Sequence, residues 1–170
     1  MFVLRRSTDN DQGAVQGSSA SILLQHIEGD RSFVRFDLVG DLVTPIAEQD
    51  EAFELLLEVS AEPRPKPGNA IWAEWEIADV EDRERFITRA RALFATRRQS
   101  ISSFCFDWLM RRLDRDDRFL VLGVYEDEEG ARTLSRGHPA VLAFAEQNPA
   151  PYATNVSGFP VFSVVHDSLR

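Results

Sequence analysis

Apolar and polar residues alternate along four segments in the second part of the chain. In residues 69–79 every second position is apolar, which predicts a strand that buries one face. Residues 100–112, 118–126 and 159–167 have the same short period and are rich in aromatic and β-branched side chains. We therefore predict four strands between positions 69 and 167.

Two segments between these strands have the helical period of 3.6 residues instead. After Asp79, which suits a helix N-cap, apolar residues recur on one face: Phe86, Ile87, Ala90, Leu93 and Phe94. A second apolar stripe runs through residues 127–148. Pro139 disfavours helical geometry at His138 and predicts a break at Gly137-His138 between two short helices. From position 69 the order is β-α-β-β-α-β, the ferredoxin-like arrangement of the α+β class.

The first 68 residues have a weaker pattern. Residues 7–21 are small and polar and predict a loop or mobile arm. Residues 22–27 and 32–40 predict two strands joined by a tight turn. Residues 46–59 predict a helix, because Pro45 suits its first turn, acidic residues crowd its start and apolar residues share one face.

A proline-rich segment separates the two parts of the chain. Residues 60–68 have three prolines in five positions and are the best linker candidate. We therefore predict a ferredoxin-like domain at 69–170, preceded by an extension or a degenerate half-repeat at 1–68. The half-repeat interpretation depends on a faint similarity between residues 26–41 and 112–127.

Composition excludes several classes of function. The chain has 170 residues, a net charge of −9 and a pI of about 4.8, so neither nucleic acid nor an anionic membrane surface is an expected partner. No apolar run approaches the length of a membrane span, and the N-terminus turns polar after four residues. The single cysteine fits a reducing compartment. We expect a soluble, cytoplasmic protein.

The run RFLVLGVYEDEEGARTLSRGHPAVLAF at 118–144 resembles the antibiotic biosynthesis monooxygenase family of dimeric α+β barrels. The preceding arginine-rich helix and the aromatic strand at 100–112 are similar to the family's first helix and second strand. The resemblance implies a barrel of two ferredoxin-like units, either between two chains in a homodimer or within one chain. It also implies cofactor-independent oxidation of an electron-rich polycyclic or quinol compound.

The sequence departs from this family at the positions that carry its chemistry. The aromatic residue that ends the strand, usually tryptophan, is Tyr125, and the histidine found in quinol-oxidising members is replaced by Leu134. Heme-degrading members use an asparagine, a tryptophan and an iron-ligating histidine. The corresponding places here hold Trp75 or a neighbour, Tyr125 and the apolar stretch around Phe144. We therefore do not expect a heme oxygenase of that type.

His138 is the main candidate for acid–base chemistry. It can serve as a general base at the helix break, or its imidazole can cap the helix that follows. His26 and His166 lie near strand ends and are expected to be surface residues. The spacing of the three histidines and one cysteine matches no metal motif, so we expect no metal and no cofactor.

Five aromatic residues from three predicted strands are candidates for binding a planar ligand: Trp75 (or its neighbour Trp72), Phe104, Phe106, Trp108 and Tyr125. They can equally form ordinary core or a dimer interface. Alternation predicts that Phe104, Phe106 and Trp108 share one face. It places Cys105 and Asp107 on the other face, where Asp107 is expected in a polar surface or a hydrogen-bonded interface.

Two functional hypotheses follow from these features. The first is a cofactor-independent monooxygenase in which His138 is the base and Tyr125, Trp108 and the other aromatic residues bind the substrate. The second is a non-catalytic protein for ligand binding or assembly that retains the barrel without the chemistry. The leucine at position 134 favours the second.

Overall fold

The computed structural model describes residues 1–7, 18–27, 32–39, 50–135, 137–149 and 152–168. Among these residues the protein has nine strands and three α-helices, so it belongs to the α+β class. The strands are β1 (Phe2–Ser7), β2 (Ser18–His26), β3 (Phe33–Val39), β4 (Glu51–Ser60), β5 (Asn69–Ile77), β6 (Phe104–Arg112), β7 (Arg118–Tyr125), β8 (Ala153–Asn155) and β9 (Val161–Asp167). The helices are α1 (Arg83–Ser100), α2 (Glu128–Ser135) and α3 (Pro139–Gln147). No helix in these ranges is long and apolar enough to cross a membrane.

Eight of the strands form a closed antiparallel ring within the single chain. The order is β4, β1, β3, β2, β9, β5, β7, β6, and β6 pairs back with β4. The short strand β8 pairs with β5 outside this ring. Strands from both parts of the chain therefore share one continuous sheet.

The two halves of the ring have the same strand order. Strands β1 to β4 lie in the order fourth, first, third, second, and β5, β6, β7 and β9 repeat that order. In the second half, α1 follows the first strand, and α2 and α3 follow the third. The half-repeat and the division at position 68 stay predictions about the sequence.

The sheet has an apolar layer on each face. The inner layer fills the ring with side chains from both halves, among them Phe2, Ile22, Phe36, Phe53, Trp72, Phe106, Trp108 and Leu122. The outer layer lies between the second half of the ring and the helices and includes Trp75, Phe86, Leu93, Phe94, Phe104, Tyr125 and Phe144. Burial of these two layers is the main contribution to stability.

Charged residues close one end of the ring. Arg6 forms ion pairs with Glu74 at 2.7 Å and Glu51 at 3.4 Å, and Arg112 forms a second pair with Glu51 at 3.1 Å. The Arg6 guanidinium also lies 5.6 Å from the ring centroid of Trp72. The inner layer therefore ends in paired charges at the solvent boundary.

The helix predicted at 46–59 is wrong over its described part, where the chain forms strand β4. Phe53 packs inside the ring, and a bulge near Leu56 turns the following apolar residues toward the outer layer. Glu54 forms an ion pair with Arg111 of β6 at 2.7 Å. Pairing with β6 thus allows this segment to bury its apolar residues and gives Glu54 an arginine partner. Residues 46–49 lie outside the described residues.

The prediction that Phe104, Phe106 and Trp108 share one face is also wrong for Phe104. The pairing of β6 with β7 shifts by one residue between Phe104 and Phe106. This bulge places Phe104 in the outer layer and Cys105 in the inner one. A one-residue slip moves a side chain to the opposite face of a sheet.

The order of elements from position 69 onward is confirmed. The break between α2 and α3 lies at Gly137, which has a φ of +92°. The two strands predicted at 22–27 and 32–40 correspond to β2 and β3. The short strands β1 and β8 were not predicted. Of the loop expected at 7–21, residues 8–17 lie outside the described residues, and the prediction is wrong for 18–21, which pair with β3 as the start of β2.

Candidate functional site

A cleft of about 310 Å³ lies between α1 and α3. The two helices run antiparallel, and each contributes one face to its walls. The lining residues are Arg89, Ala92, Leu93 and Thr96 from α1, and Pro139, Ala140, Ala143, Phe144 and Gln147 from α3. This volume is at the lower limit of small-molecule sites.

Hydrogen bonds between the two helices close both ends of the cleft. At one end, Arg89 Nη1 donates to the carbonyl of Gln147 and to Asn148 Oδ1, the latter at 3.1 Å. At the other end, His138 Nε2 lies 3.3 Å from Ser100 Oγ. The space available to a ligand therefore has defined limits along the helices.

Both ring nitrogens of His138 have partners. Nδ1 accepts a hydrogen bond from the Ala140 amide at 3.2 Å, as the N-cap of α3. Ser100 Oγ donates to the Thr96 carbonyl, so it can accept from His138 Nε2–H. Partial burial and the charge of Arg97 lower the pKa of His138, which favours this neutral form. The geometry supports the capping interpretation, and the role of His138 as a base stays a prediction.

Phe144 is the aromatic residue that lines the cleft, and further aromatic rings pack behind it. Phe144 is buried, and its ring packs edge-on against Trp75 at 5.4 Å and against Phe86 at 5.6 Å. Trp75 therefore lies directly behind the surface that a ligand would contact. Edge-to-face packing is a favourable arrangement for aromatic pairs and stabilises the position of the Phe144 ring.

A polar cluster of Arg97, Asp107 and Tyr125 lies beneath the C-terminal end of α1. Arg97 Nη1 contacts Asp107 Oδ1 at 3.1 Å, and the exposed fractions of Arg97, Asp107 and Tyr125 are 4, 0 and 0%. Three of their polar atoms have no hydrogen-bond partner among the described residues: Arg97 Nε, Asp107 Oδ2 and Tyr125 Oη. Asp107 is thus buried because α1 covers it. Of the two places expected for it, the polar surface is wrong, and the hydrogen bond from Arg97 fits the alternative of a hydrogen-bonded interface.

Gly123 makes room for this cluster on the sheet. A Cβ atom at that position would lie 2.7 Å from Asp107 Oδ1 and 3.0 Å from Tyr125 Oη. Both distances are too short for a carbon substituent. The glycine therefore allows the two side chains to lie against the backbone of β7.

Burial dominates the titration of these groups. Desolvation raises the pKa of Asp107 from 3.8 to about 6, against the opposing effect of Arg97. Desolvation and the neighbouring Asp107 raise the pKa of Tyr125 well above 10. Burial also raises the pKa of the Cys105 thiol to about 12, so this cysteine stays protonated and unreactive.

The structure divides the predicted aromatic set between the two faces of the sheet. Phe104 and Tyr125 meet at 6.1 Å in the outer layer, and Trp75 lies further along that layer behind the cleft. Phe106 and Trp108 pack together at 4.7 Å inside the ring. A ligand in the cleft does not reach these last two residues, because the sheet lies between.

Arg97 and Asp107 were not predicted as site residues. Two signals in the sequence point to them. Asp107 interrupts the apolar run of β6, and Arg97 follows Leu93 by four positions on the inner face of α1. Among the residues that the structure describes, no three histidine, cysteine or acidic side chains group as metal ligands.

Solved structures with this fold cover nearly the whole chain. An anthrone oxidase-like protein has a TM-score of 0.63 and 10% identity over 98% of this chain and 91% of its own. An uncharacterized ferredoxin-fold protein of Listeria monocytogenes, related to antibiotic biosynthesis monooxygenases, has a TM-score of 0.56 and 11% identity, with coverages of 98% and 95%. A heme-degrading enzyme of the same species has a TM-score of 0.56 and 12% identity, with coverages of 96% and 99%.

These similarities confirm, at the level of the fold, the resemblance found in the sequence. Another solved structure of this fold, from Listeria innocua, is named a monooxygenase-like protein. No protein-family model matches the chain, and no curated protein matches its sequence.

Proposed function

We propose that the chain binds a small aromatic compound, a phenol or a quinol, in the cleft between α1 and α3 and oxidises it with molecular oxygen. The observation that carries this proposal is the cleft itself, with Phe144 in its lining, Trp75 packed behind that ring and His138 at one end. The names of the structures that share the fold support the same chemistry. Cys105, reduced and buried, fits a cytoplasmic location.

In this reaction the substrate supplies the electrons and the protein supplies the environment. A phenol and oxygen give a quinone and water, so one oxygen atom enters the ring and the other leaves as water. The protein holds the ring in an apolar cleft and accepts the phenolic proton. The sequence assigns that proton to His138, which would have to give up its bond to the Ala140 amide.

Binding without chemistry is the second candidate function. The observation that favours it is the engagement of both nitrogens of His138, which leaves no free base at the end of the cleft. In this case the protein retains or presents an aromatic ligand. Under either proposal, we expect the protein to form a homodimer through a surface outside the ring.

Two measurements test the proposal on the purified chain. A thermal-shift screen against quinols, polycyclic phenols, flavin and heme detects binding, because a ligand at a hundred times its Kd stabilises the fold by about 2.7 kcal/mol. Oxygen uptake with each stabilising compound then detects turnover. Stabilisation with uptake supports the oxidase, and stabilisation without uptake supports the binding protein.

A pair of alanines on α3 gives a matched control. Ala143 lines the cleft, whereas Ala145 is also exposed on α3 but lies outside the lining. Ala143→Trp should fill the cleft and remove the ligand-induced shift, and Ala145→Trp should leave it intact. Equal shifts in the two variants would place the ligand elsewhere and overturn the proposal.

A further inference from the structure

The cleft between α1 and α3 has a charge opposite to that of the whole chain. Among the described residues that line it, Arg89 is the one with a charge, and Thr96 and Gln147 are polar but neutral. The chain itself has 28 acidic and 19 basic residues. The cleft is therefore a positively charged site on an acidic protein, and its charge complements that of an anion.

The positive charge of Arg89 is not balanced by an acidic side chain. In the part of the chain that the structure describes, Arg89 forms no ion pair, whereas Arg85, about one turn earlier on α1, pairs with Asp82 at 3.2 Å. On the sheet, Arg111 pairs with Glu54 at 2.7 Å. Because acidic residues are in excess, a shortage of partners does not explain this difference. A guanidinium is always charged, so the charge of Arg89 is available to a ligand.

One nitrogen of Arg89 holds the guanidinium at the end of the cleft. Nη1 donates to the carbonyl of Gln147 and, at 3.1 Å, to Asn148 Oδ1. The ring centroid of Tyr152 lies 5.2 Å from Arg89 Cζ, which further restricts the side chain. Nε and Nη2 form no hydrogen bond with any residue in the described ranges. These two nitrogens form an edge of the guanidinium that matches the two oxygens of a carboxylate.

The rest of the cleft suits a flat apolar group. Its other lining residues are small or apolar: Ala92, Leu93, Pro139, Ala140, Ala143 and Phe144. From Arg89 to Thr96, α1 rises by about 10 Å, which leaves room for an aromatic ring system next to the guanidinium. Charge at one end and apolar walls beyond it are the two features that an aromatic acid requires of its site.

We propose that the ligand of the cleft is an aromatic carboxylate, whose two oxygens bind Arg89 Nε and Nη2 and whose ring lies between α1 and α3 against Phe144. The inference rests on the proposed function and narrows its ligand from phenols in general to phenolic acids. Arg89 and His138 lie at opposite ends of the cleft. A ligand held by its carboxylate therefore directs the other side of its ring toward His138.

The first test compares 6-hydroxy-2-naphthoate with its methyl ester, which has the same rings and hydroxyl but no negative charge. Calorimetric titration of the wild-type chain at neutral pH should give at least about tenfold tighter binding of the carboxylate, because hydrogen bonds to charged groups are the stronger ones. This preference should decrease as salt is raised to about 1 M, since ions screen the pair. Equal affinities would overturn the inference and leave the cleft proposal standing, and binding of neither compound would overturn both.

Two arginines of α1 give a matched pair of variants. Arg91 is exposed and lies outside the lining, so Arg91→Gln removes the same charge from the same helix. Arg89→Gln should bind the carboxylate at least about tenfold more weakly and the ester as wild type does, whereas Arg91→Gln should bind both as wild type does. An equal loss of both compounds in Arg89→Gln would show that Arg89 only holds α3 and would overturn the inference, as would unchanged binding of the carboxylate. Where Arg89→Gln fails to fold, the wild-type comparison decides the inference alone.

Discussion

Asp107 links proton binding to the stability of the fold. Its pKa rises from 3.8 to about 6 on folding, mainly because the carboxyl is desolvated beneath α1. The folded chain therefore holds this proton over a pH range in which the unfolded chain releases it. The stabilising contribution is full below pH 3.8, decreases as the pH rises toward 6 and is lost above that.

This linkage predicts a difference between wild type and Asp107→Asn. As the pH rises from 4 to 7, the free energy of unfolding of wild type should fall relative to the variant by up to about 3 kcal/mol. Urea denaturation at several pH values measures it. A difference that is constant with pH would contradict the raised pKa, and Asp37→Asn serves as the buried control.

Gly123 is the second residue whose environment predicts a large effect. A Cβ atom at this position cannot coexist with Asp107 Oδ1 at 2.7 Å. Gly123→Ala should therefore displace Asp107 and Tyr125 and destabilise the fold by about 1–3 kcal/mol, the usual cost of overpacking. Thermal denaturation measures the loss, and an unchanged Tm would show that the sheet accommodates the methyl group.

Helix α3 depends on its N-cap. The imidazole of His138 accepts from the Ala140 amide, so His138→Ala should cost about 1 kcal/mol of the free energy of unfolding. His166→Ala, on an exposed part of β9, should change it by less than about 0.5 kcal/mol. Chemical denaturation compares the two variants. Loss of oxygen uptake in His138→Ala at unchanged stability would instead favour the base.

Helices and strands that depend on residues close together in the sequence were predicted correctly. The element that depends on contacts between distant residues was not. The alternation in β5 and the helical period of α1 are local, and both elements were predicted. In β4 the acidic and apolar residues fit a helical face as well as a strand, and the choice depends on Arg111 and Arg112 of β6. Contacts so distant in sequence leave no local pattern.

The same reasoning applies to the candidate site. Tyr125 was predicted to bind the substrate because it is similar to the aromatic residue that ends this strand in the resembled family, and that role stays a prediction. Its hydroxyl lies beside Asp107 in the buried cluster. The partnership of Arg97 with Asp107 depends on how α1 packs on the sheet. The bulge at Cys105, which separates Phe104 from Phe106, depends on the register with β7. Neither property is encoded in a short stretch of sequence.

At the scale of the whole molecule, the inner layer couples the two halves of the ring. Phe36 of β3 is fully buried and packs edge-on against Trp72 of β5 at 6.2 Å. Phe36→Ala should cost about 3–5 kcal/mol. The urea midpoint should fall equally by tryptophan fluorescence and by far-UV circular dichroism.

The fluorescence signal makes this test specific. All three tryptophans lie in the second part of the chain, whereas Phe36 lies in the first. A fluorescence midpoint that does not move in Phe36→Ala would show that the two parts unfold as separate domains. Coincident transitions are the expected result for one cooperative unit.

Closure of the ring within one chain affects how the two halves of the protein can evolve. In a ring assembled from two identical chains, every substitution arises twice, so a residue that suits one half is imposed on the other. Here each substitution arises once. The hairpin that contains Asp37 is therefore free to hold its carboxylate with partners on its own strands, Arg35 and Ser18, while the hairpin that contains Asp107 holds its carboxylate against Arg97 of α1.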